Sequence, residues 1–347
     1  MPIRKASKKY NSDYMSRKCD EQLEQLEDKL TALYANASNE ISSKYNDWSK
    51  KFEKKDKEMR KQVDYAIISE DDYINWRKKA ILQDKKYAET VKSMTDILVN
   101  TDIAAMATVN GSLPSVIAQS YNFVQSLGYA AADKAGLSVG TFQIYNAKTV
   151  QSLIKKNPNI LKHVNKKEDF SWNKDRINRV ITQGIVQGKN IPDIAKGLRE
   201  VSNMDENGAI RNARTAMTGA ENYGRNESFQ DLQDKGIPVK LQWSATHDNK
   251  TRETHILLDG TFQDEDGYFG VGIIDTPLQY PGDPAGDAGE IYNCRCRASI
   301  RLEGVDHSQD GDLYEKFMKE NYPDDWANIK DDREMKELQF KNNMKGK

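Results

Sequence analysis

Apolar residues recur at helical spacing along the first quarter of the chain. The first stripe falls mostly at three- and four-residue steps and consists of Cys19, Leu23, Leu26, Leu30 and Leu33. A second stripe follows with Trp48, Phe52, Met59, Val63 and Ile67. This spacing is that of one face of an α-helix, and no proline lies between Ile3 and Leu113. The pattern predicts long helices, in a coiled-coil or hairpin arrangement, from about residue 12 to 92.

Helix and strand signals are mixed in the second half. The spacing predicts helices over 175–187, 191–199 and 207–233. In the first half of the chain, Ser69 is followed by three acidic residues, which predicts that a capped helix begins there. Alternating apolar and polar residues predict two strands, 239–243 and 296–302, which should pair. We therefore expect an α+β fold with a helical N-terminal half and a C-terminal domain of helices on a small antiparallel sheet.

Composition changes along the chain and suggests its division. Hydrophobic residues make up 37%, charged residues 30%, and the mean hydropathy is −0.82. So polar a chain favours elongated helices with one modest core. We expect a helical region at 1–150, a globular domain at 151–303 and a charged tail at 304–347. No apolar run is long enough for a membrane helix, and the basic N-terminus lacks the apolar stretch of a signal peptide.

Charge is divided unevenly although the net charge is only −1. Residues 148–240 carry about six more basic than acidic side chains, whereas 241–310 carry about eight more acidic ones. The basic stretch could contact DNA phosphates without reading sequence. A solvated basic face is an equal alternative, in which Arg214 pairs with Glu221 or Asp248. The DNA-contact candidates are Arg176, Arg179, Lys189, Lys196, Arg199, Arg211, Arg214 and Arg225.

Two cysteines near the C-terminal end raise the question of a metal. Cys294 and Cys296 form a C-x-C pair, whose thiols would share one face of a strand. With His255 and either Asp248 or His247 they could complete a tetrahedral Zn²⁺ site. Reduced, buried cysteines are the interpretation we favour, and a disulfide the one we favour least. We expect no organic cofactor.

A second constellation combines an acid, a base and an arginine. Asp248, Arg252 and His255 would share one face if 248–257 is helical, with Asp248 and Arg252 as an ion pair four residues apart. His255 could then act as a base oriented by Asp248, with Arg252 or Arg295 binding phosphate. We favour the alternative that these four residues form a polar network that locks a loop-rich domain. Nothing in the sequence demands an enzyme.

Several ordered motifs resemble one protein family. They are Arg211-Asn-Ala-Arg-Thr-Ala-Met-Thr-Gly-Ala-Glu-Asn-Tyr-Gly-Arg, Trp243-Ser-Ala-Thr-His-Asp-Asn-Lys-Thr-Arg-Glu-Thr-His, Leu258-Asp-Gly, Tyr280-Pro-Gly-Asp-Pro and Asn293-Cys-Arg-Cys-Arg. Together they resemble the phage Mu F-like minor head proteins, also described as phage head morphogenesis proteins. The resemblance covers about residues 173–302.

The resemblance implies an assembly role. Such a protein would be a minor capsid component of a tailed phage, inside the procapsid near the portal. Its implied partners are the portal protein, a capsid or scaffolding protein and double-stranded DNA, and no membrane. It would be made in the host cytoplasm and end in the capsid interior. The alternative is a nuclease or nucleotide-transferring enzyme that uses His255 with Asp248 and Arg252.

Overall fold

Helices dominate the described part of the molecule. The computed structural model describes residues 13–134, 136, 144–156, 158–161, 165–302, 310–324 and 327. The helices are α1 (Tyr14–Asp64), α2 (Glu70–Leu82), α3 (Lys85–Lys134), α4 (Ala147–Lys156), α5 (Lys166–Val186), α6 (Ile191–Asp234), α7 (Glu253–Leu258), α8 (Ala288–Ile291) and α9 (Asp310–Asn321), with a 3₁₀ turn at Pro158–Ile160. The strands are β1 (Val239–Ser244) and β2 (Arg297–Leu302). The predicted α+β class is therefore confirmed.

The predicted stripe on α1 is largely correct. Its buried positions continue at three- and four-residue steps through Leu26, Leu30, Tyr34, Ala37, Ile41, Tyr45, Trp48 and Phe52. Ile67 was wrongly included, because α1 ends at Asp64 and the Ile67 side chain is exposed. The predicted cap of α2 is confirmed, since the Ser69 hydroxyl accepts from the Asp72 amide and the Asp72 carboxylate accepts from the Ser69 amide.

One long helix replaces two predicted ones. The sequence predicted separate helices over 191–199 and 207–233, but α6 runs through both without a break. The buried residues Ile194, Leu198 and Val201 keep helical spacing towards Ala209, so the apolar face continues across the expected gap. Gly208 interrupts nothing, because a glycine inside a helix costs only about 1 kcal/mol.

The small sheet confirms the predicted pairing. β1 and β2 are antiparallel, and Val239 faces Leu302 while Ser244 faces Arg297. Leu241, Trp243, Ala298 and Ile300 are buried. One face of this two-stranded sheet is thus covered by protein, as such a short ladder requires for stability.

Two compact units divide the chain differently from the segments predicted from the sequence. Unit 1 contains the described residues of 1–24, 109–162 and 212–347, and unit 2 those of 25–108 and 163–211. α1, α3 and α6 therefore contribute residues to both units. The expected boundaries at 150 and 303 followed composition, whereas the units follow contacts between segments distant in sequence.

The core of unit 2 is aliphatic and aromatic. It joins α1, α2, α3, α5 and the first part of α6, with Trp48 packed between the rings of Phe52 and Tyr87. The core of unit 1 centres on Trp243, Phe269 and Tyr280 and also contains buried charged groups. None of the described helices is long and apolar enough to cross a membrane. Of the predicted tail, α9 is described.

Candidate functional site

One face of α6 binds the backbone that precedes and begins β2. The Thr215 hydroxyl accepts from the Asn293 amide at 3.1 Å, and the Thr218 hydroxyl donates to the Cys294 carbonyl at 3.0 Å. The Asn222 amide donates to the Cys296 carbonyl, and its oxygen accepts from the Ala298 amide at 2.8 Å. Residues 215, 218 and 222 repeat at helical spacing, so this face of the helix binds four backbone groups between 293 and 298.

Two glycines allow other segments to approach α6 closely. A Cβ at Gly224 would lie 2.4 Å from the Ile117 carbonyl oxygen of α3, and one at Gly219 would lie 2.8 Å from the Gly282 carbonyl oxygen. Gly282 itself has φ +80°, a conformation that only glycine adopts freely. The small residues of the family-like motif therefore match the tight packing around this helix.

A buried ion-pair network includes Glu221 and Arg225 of the same helix. The Arg225 guanidinium forms a fork on Asp13, with Nη–oxygen distances of 2.6 and 2.8 Å, and also reaches Glu221 at 2.9 Å. Arg297 Nε lies 2.8 Å from the other Glu221 oxygen, and Arg297 Nη2 bonds Asp20. Burial alone would raise the pKa of Asp13, but Arg225 lowers this pKa to about 2. Three carboxylates and two guanidinium groups thus tie α1, α6 and β2 together within unit 1.

A buried thiol–imidazole cluster lies beside this network. His255, Cys294 and Cys296 are all buried, and one donor atom of each lies within 4.8 Å of the others. His255 Nδ1 is 3.6 Å from Cys294 Sγ and 3.4 Å from Cys296 Sγ. Both cysteines carry free thiols, so the disulfide alternative is not seen here. Contrary to the prediction of a strand, the pair precedes β2.

Hydrogen bonding within the cluster makes the two thiols unequal. The hydrogen bond from Cys294, together with His255, lowers the pKa of Cys296 despite burial. The same hydrogen bond and burial raise the pKa of Cys294. The two cysteines of the pair are therefore electrostatically inequivalent.

Asp248 does not join this cluster, which corrects the predicted ligand set. Its carboxylate is held by the Arg295 guanidinium, with one Nη2–Oδ1 distance of 2.7 Å, and this contact lowers the pKa of Asp248. The proposed alternative ligand His247 also lies elsewhere, 2.7 Å from Asp259. Glu290, which the sequence did not single out, approaches His255 instead, with 2.9 Å between Oε2 and Nε2.

The expected helix over 248–257 is also wrong. α7 begins at Glu253, so Asp248 and Arg252 do not share a helical face. Arg252 donates to the Tyr292 carbonyl at 2.5 Å rather than pairing with Asp248. His255 is buried against the thiols and Glu290, and the edge of its ring packs near Trp243. The His255 side chain is therefore enclosed by protein groups.

The DNA-contact candidates separate into buried and exposed groups. Arg225 is 1% exposed and both of its Nη atoms bond Asp13, so it cannot reach a phosphate and is removed from the set. Arg176 is mostly buried and pairs with Asp205 at 2.6 Å. Arg214 is half-buried, and Glu221 lies close to Arg225 and Arg297. The exposed members are Arg179, Lys189, Lys196, Arg199 and Arg211.

Sequence reasoning missed most of the partners of these motifs. Asp13, Asp20 and Ser16 lie far from the motifs along the chain, and no local pattern indicated that they would meet Arg225 and Arg297. Thr215, Glu221 and Asn222 were noticed only as a distinctive string. Thr215 and Asn222 lie seven residues apart on one helical face, and this spacing was the available signal.

Comparison with known families confirms the resemblance drawn from the motifs. Residues 175–299 match the model of the family described as Phage Mu protein F like protein. This segment contains the motif face of α6, β1, the thiol–imidazole cluster and the first half of β2. No solved structure gave a significant match.

Two curated relatives match a similar share of the chain. The first is the NAD(+)--arginine ADP-ribosyltransferase EFV of Enterococcus faecalis (strain ATCC 700802 / V583), 30% identical over 145 residues. The match covers 41% of this chain and 28% of that relative. The second is "Uncharacterized protein YqbB" of Bacillus subtilis (strain 168), 30% identical over 122 residues, which are 35% of this chain and 39% of the relative. The matches thus span well under half the length of these relatives.

Proposed function

We propose that the chain is a head morphogenesis protein of a tailed bacteriophage and is incorporated into the virion as a minor capsid component. The match of residues 175–299 to the Phage Mu F-like family supports this role. The same segment contains the motifs Arg211–Arg225 and Asn293–Arg297, so the family likeness rests on named residues rather than on overall composition.

The proposal is supported by the contacts that the motif residues make inside the domain. Thr218, Asn222 and Arg225 direct their polar atoms to the backbone of the segment 294–298 or to buried carboxylates. Groups used in this way stabilise one conformation and do not face a substrate. A rigid domain with its motif polar groups turned inwards fits a protein that acts through its surface, as an assembly factor does.

The partners we propose are the portal protein, a capsid or scaffolding protein and packaged double-stranded DNA. Exposed apolar side chains of unit 1, such as Ile256, Leu257 and Val271, would suit a protein partner. The exposed cations of unit 2 would suit DNA phosphates. The location that follows is the capsid interior near the portal, after synthesis and assembly in the host cytoplasm.

Assembly of phage heads tests the proposal directly. In the phage or prophage that encodes the chain, we expect mass spectrometry to find the protein in purified procapsids or virions. A null allele should lower the yield of DNA-filled heads, and the wild-type gene should restore it. Restoration should fail with Asn222→Asp and succeed with Gln230→Ala, an exposed position on the same helix. Normal heads from the null allele, without the protein in any particle, would refute the role.

DNA contact has its own test. Replacement of Arg179, Lys196 and Arg199 together by Gln should weaken binding to double-stranded DNA at about 50 mM salt, and wild-type binding should be lost by about 200 mM. Lys174→Gln, at an exposed α5 lysine outside the candidate set, serves as the matched control. Binding that is unaffected by salt or by the triple variant would count against a phosphate-binding surface.

An enzyme remains the second proposal because one relative is named as an NAD(+)--arginine ADP-ribosyltransferase. Only 28% of that relative is matched, however, and His255 is buried among its own partners. We therefore expect the purified chain to neither cleave NAD⁺ nor label an arginine-containing acceptor. NAD⁺ turnover by the wild-type protein that is lost in a folded His255→Gln variant would make the enzyme the better proposal.

A further inference from the structure

The thiol–imidazole cluster has the composition and shape of a metal centre. We propose that His255 Nδ1 and the sulfurs of Cys294 and Cys296 bind one Zn²⁺ ion. Thiolate sulfur and imidazole nitrogen are the donors that zinc prefers in proteins. Binding would replace the two thiol protons, which leave to solvent, so the ion is held by two thiolates and one neutral imidazole.

The distances between donor atoms agree with a tetrahedral ion. Zinc lies about 2.3 Å from sulfur and about 2.0–2.1 Å from nitrogen, so tetrahedral angles place sulfur and nitrogen about 3.6 Å apart. Here Nδ1 lies 3.6 Å from Cys294 Sγ and 3.4 Å from Cys296 Sγ. The imidazole nitrogen and each sulfur are therefore spaced as a shared zinc ion requires.

Hydrogen bonds from both thiols to the imidazole do not account for this geometry well. A neutral imidazole has one acceptor nitrogen with one lone pair, so a single thiol can donate to it in good alignment. Two sulfurs nevertheless converge on His255 Nδ1. A shared cation satisfies all three donors at once.

Glu290 completes the arrangement as a positioning residue. Its Oε2 atom lies 2.9 Å from His255 Nε2 and accepts a hydrogen bond from the Thr254 hydroxyl at 3.1 Å. A carboxylate at Nε2 favours the tautomer that carries its proton there, which leaves Nδ1 free to bind the ion. Metal-binding histidines in proteins usually have such a partner on their second nitrogen.

Water would fill the fourth position, since neither Asp248 nor Glu290 is placed to bind the ion. Asp248 is held by Arg295, and Glu290 faces the opposite side of the imidazole. The ion would link α7 to the segment before β2, across 39 and 41 residues of chain. The intervening segment is mostly turns, so a link there should stabilise unit 1 by restricting the unfolded chain.

Metal content and the cysteines test the proposal together. We expect elemental mass spectrometry to find about one zinc per chain in protein purified without chelators. Cys294→Ser and Cys296→Ser should each lose it, whereas Cys19→Ala should keep it, because Cys19 is a buried thiol outside the cluster. Zinc-free wild-type protein that also fails to bind added Zn²⁺ would overturn the proposal.

Two measurements do not depend on folded cysteine variants. X-ray absorption of the wild-type zinc protein should show two sulfurs at about 2.3 Å and a nitrogen at about 2.0–2.1 Å. A shell of oxygen and nitrogen alone would overturn the assignment. Glu290→Ala should weaken zinc affinity about 10–100-fold in chelator competition, whereas Glu253→Ala, at an exposed acid of α7, should not. An unchanged affinity in Glu290→Ala would remove its positioning role.

Discussion

Units 1 and 2 contain long helices but are stabilised in different ways. In unit 2, buried residues such as Tyr45, Trp48 and Ile181 belong to one continuous apolar cluster. In unit 1, buried charges and amides such as Glu221, Asn222 and Arg225 lie among the apolar residues. Apolar packing depends on volume and tolerates similar shapes, whereas a buried polar network requires each partner. Unit 1 should therefore lose more stability from single changes at these polar residues than unit 2 loses from conservative changes in its apolar cluster.

The largest expected effect is at Arg225. Arg225→Met keeps much of the side-chain volume but leaves Asp13 and Glu221 without their main cation, so the free energy of unfolding should fall by about 3–5 kcal/mol. Urea unfolding followed by circular dichroism measures this loss. Arg179→Met, at an exposed arginine of α5, should change stability by less than about 0.5 kcal/mol. Similar stabilities of the two variants would mean that the buried network contributes little.

An isosteric change at Asn222 sharpens the contrast. Asn222→Asp keeps the shape but loses the donor to the Thr218, Pro281 and Cys296 carbonyls. A carboxylate facing buried carbonyl oxygens should cost about 2–3 kcal/mol or more. Ile181→Leu in the core of unit 2 should cost less than about 1.5 kcal/mol. If Ile181→Leu proved the more damaging in urea unfolding, the distinction between the two units would be wrong.

Two glycines of the same helix provide a matched pair. Gly224→Ala places a Cβ 2.4 Å from the Ile117 carbonyl oxygen, whereas Gly208→Ala meets no atom within 4 Å. The first should destabilise the protein by about 1–3 kcal/mol. The second should stabilise it by up to about 1 kcal/mol, because alanine favours helix. Thermal unfolding of both variants checks the sign, and a stabilising Gly224→Ala would contradict the close approach.

The sequence predicted what depends on local spacing. The stripe of α1, the Ser69 cap and the alternation of β1 and β2 follow from neighbouring residues, and all three are found. The ion pair between Asp13 and Arg225, which are 212 residues apart in the chain, follows from no local sequence rule. Residues 253–291 contain only the short helices α7 and α8. There Glu290 reaches His255 because turns bring them together, and periodicity carries no information about such a contact.

Part of the candidate site could nonetheless be predicted from residue types. Cys294, Cys296 and His255 were grouped because they share soft or borderline donors, and they do lie together. Asp248 was included on an assumed helix that begins only at Glu253, and it pairs with Arg295 instead. Residue chemistry thus indicated which groups could meet, but the wrong helix boundary gave one wrong member.

The last prediction concerns pH and compares one carboxyl group in each unit. Burial, with a smaller effect of nearby Asp205, raises the pKa of Asp102 in unit 2 to about 7, although Tyr34 donates a hydrogen bond to it. Between about pH 4 and 7 the folded state then binds more protons than the unfolded state. This contribution to stability is complete below about pH 4 and is lost as the pH rises to about 7. Asp13 in unit 1 behaves oppositely because its pKa is lowered. Its contribution to stability is complete above about pH 4 and is lost as the pH falls towards 2.

Asp102→Asn should therefore raise the free energy of unfolding at pH 8 by about 1–3 kcal/mol, and by much less at pH 4. The asparagine keeps an acceptor for the Tyr34 hydroxyl, so little contact is lost. Urea midpoints measured from pH 4 to 8 test this, with exposed Asp71→Asn as the control. The Asp102 gain should grow with pH while the control stays flat. A gain that is the same at every pH would show that Asp102 does not titrate in this range, and the contrast between the two carboxyl groups would then rest on Asp13 alone.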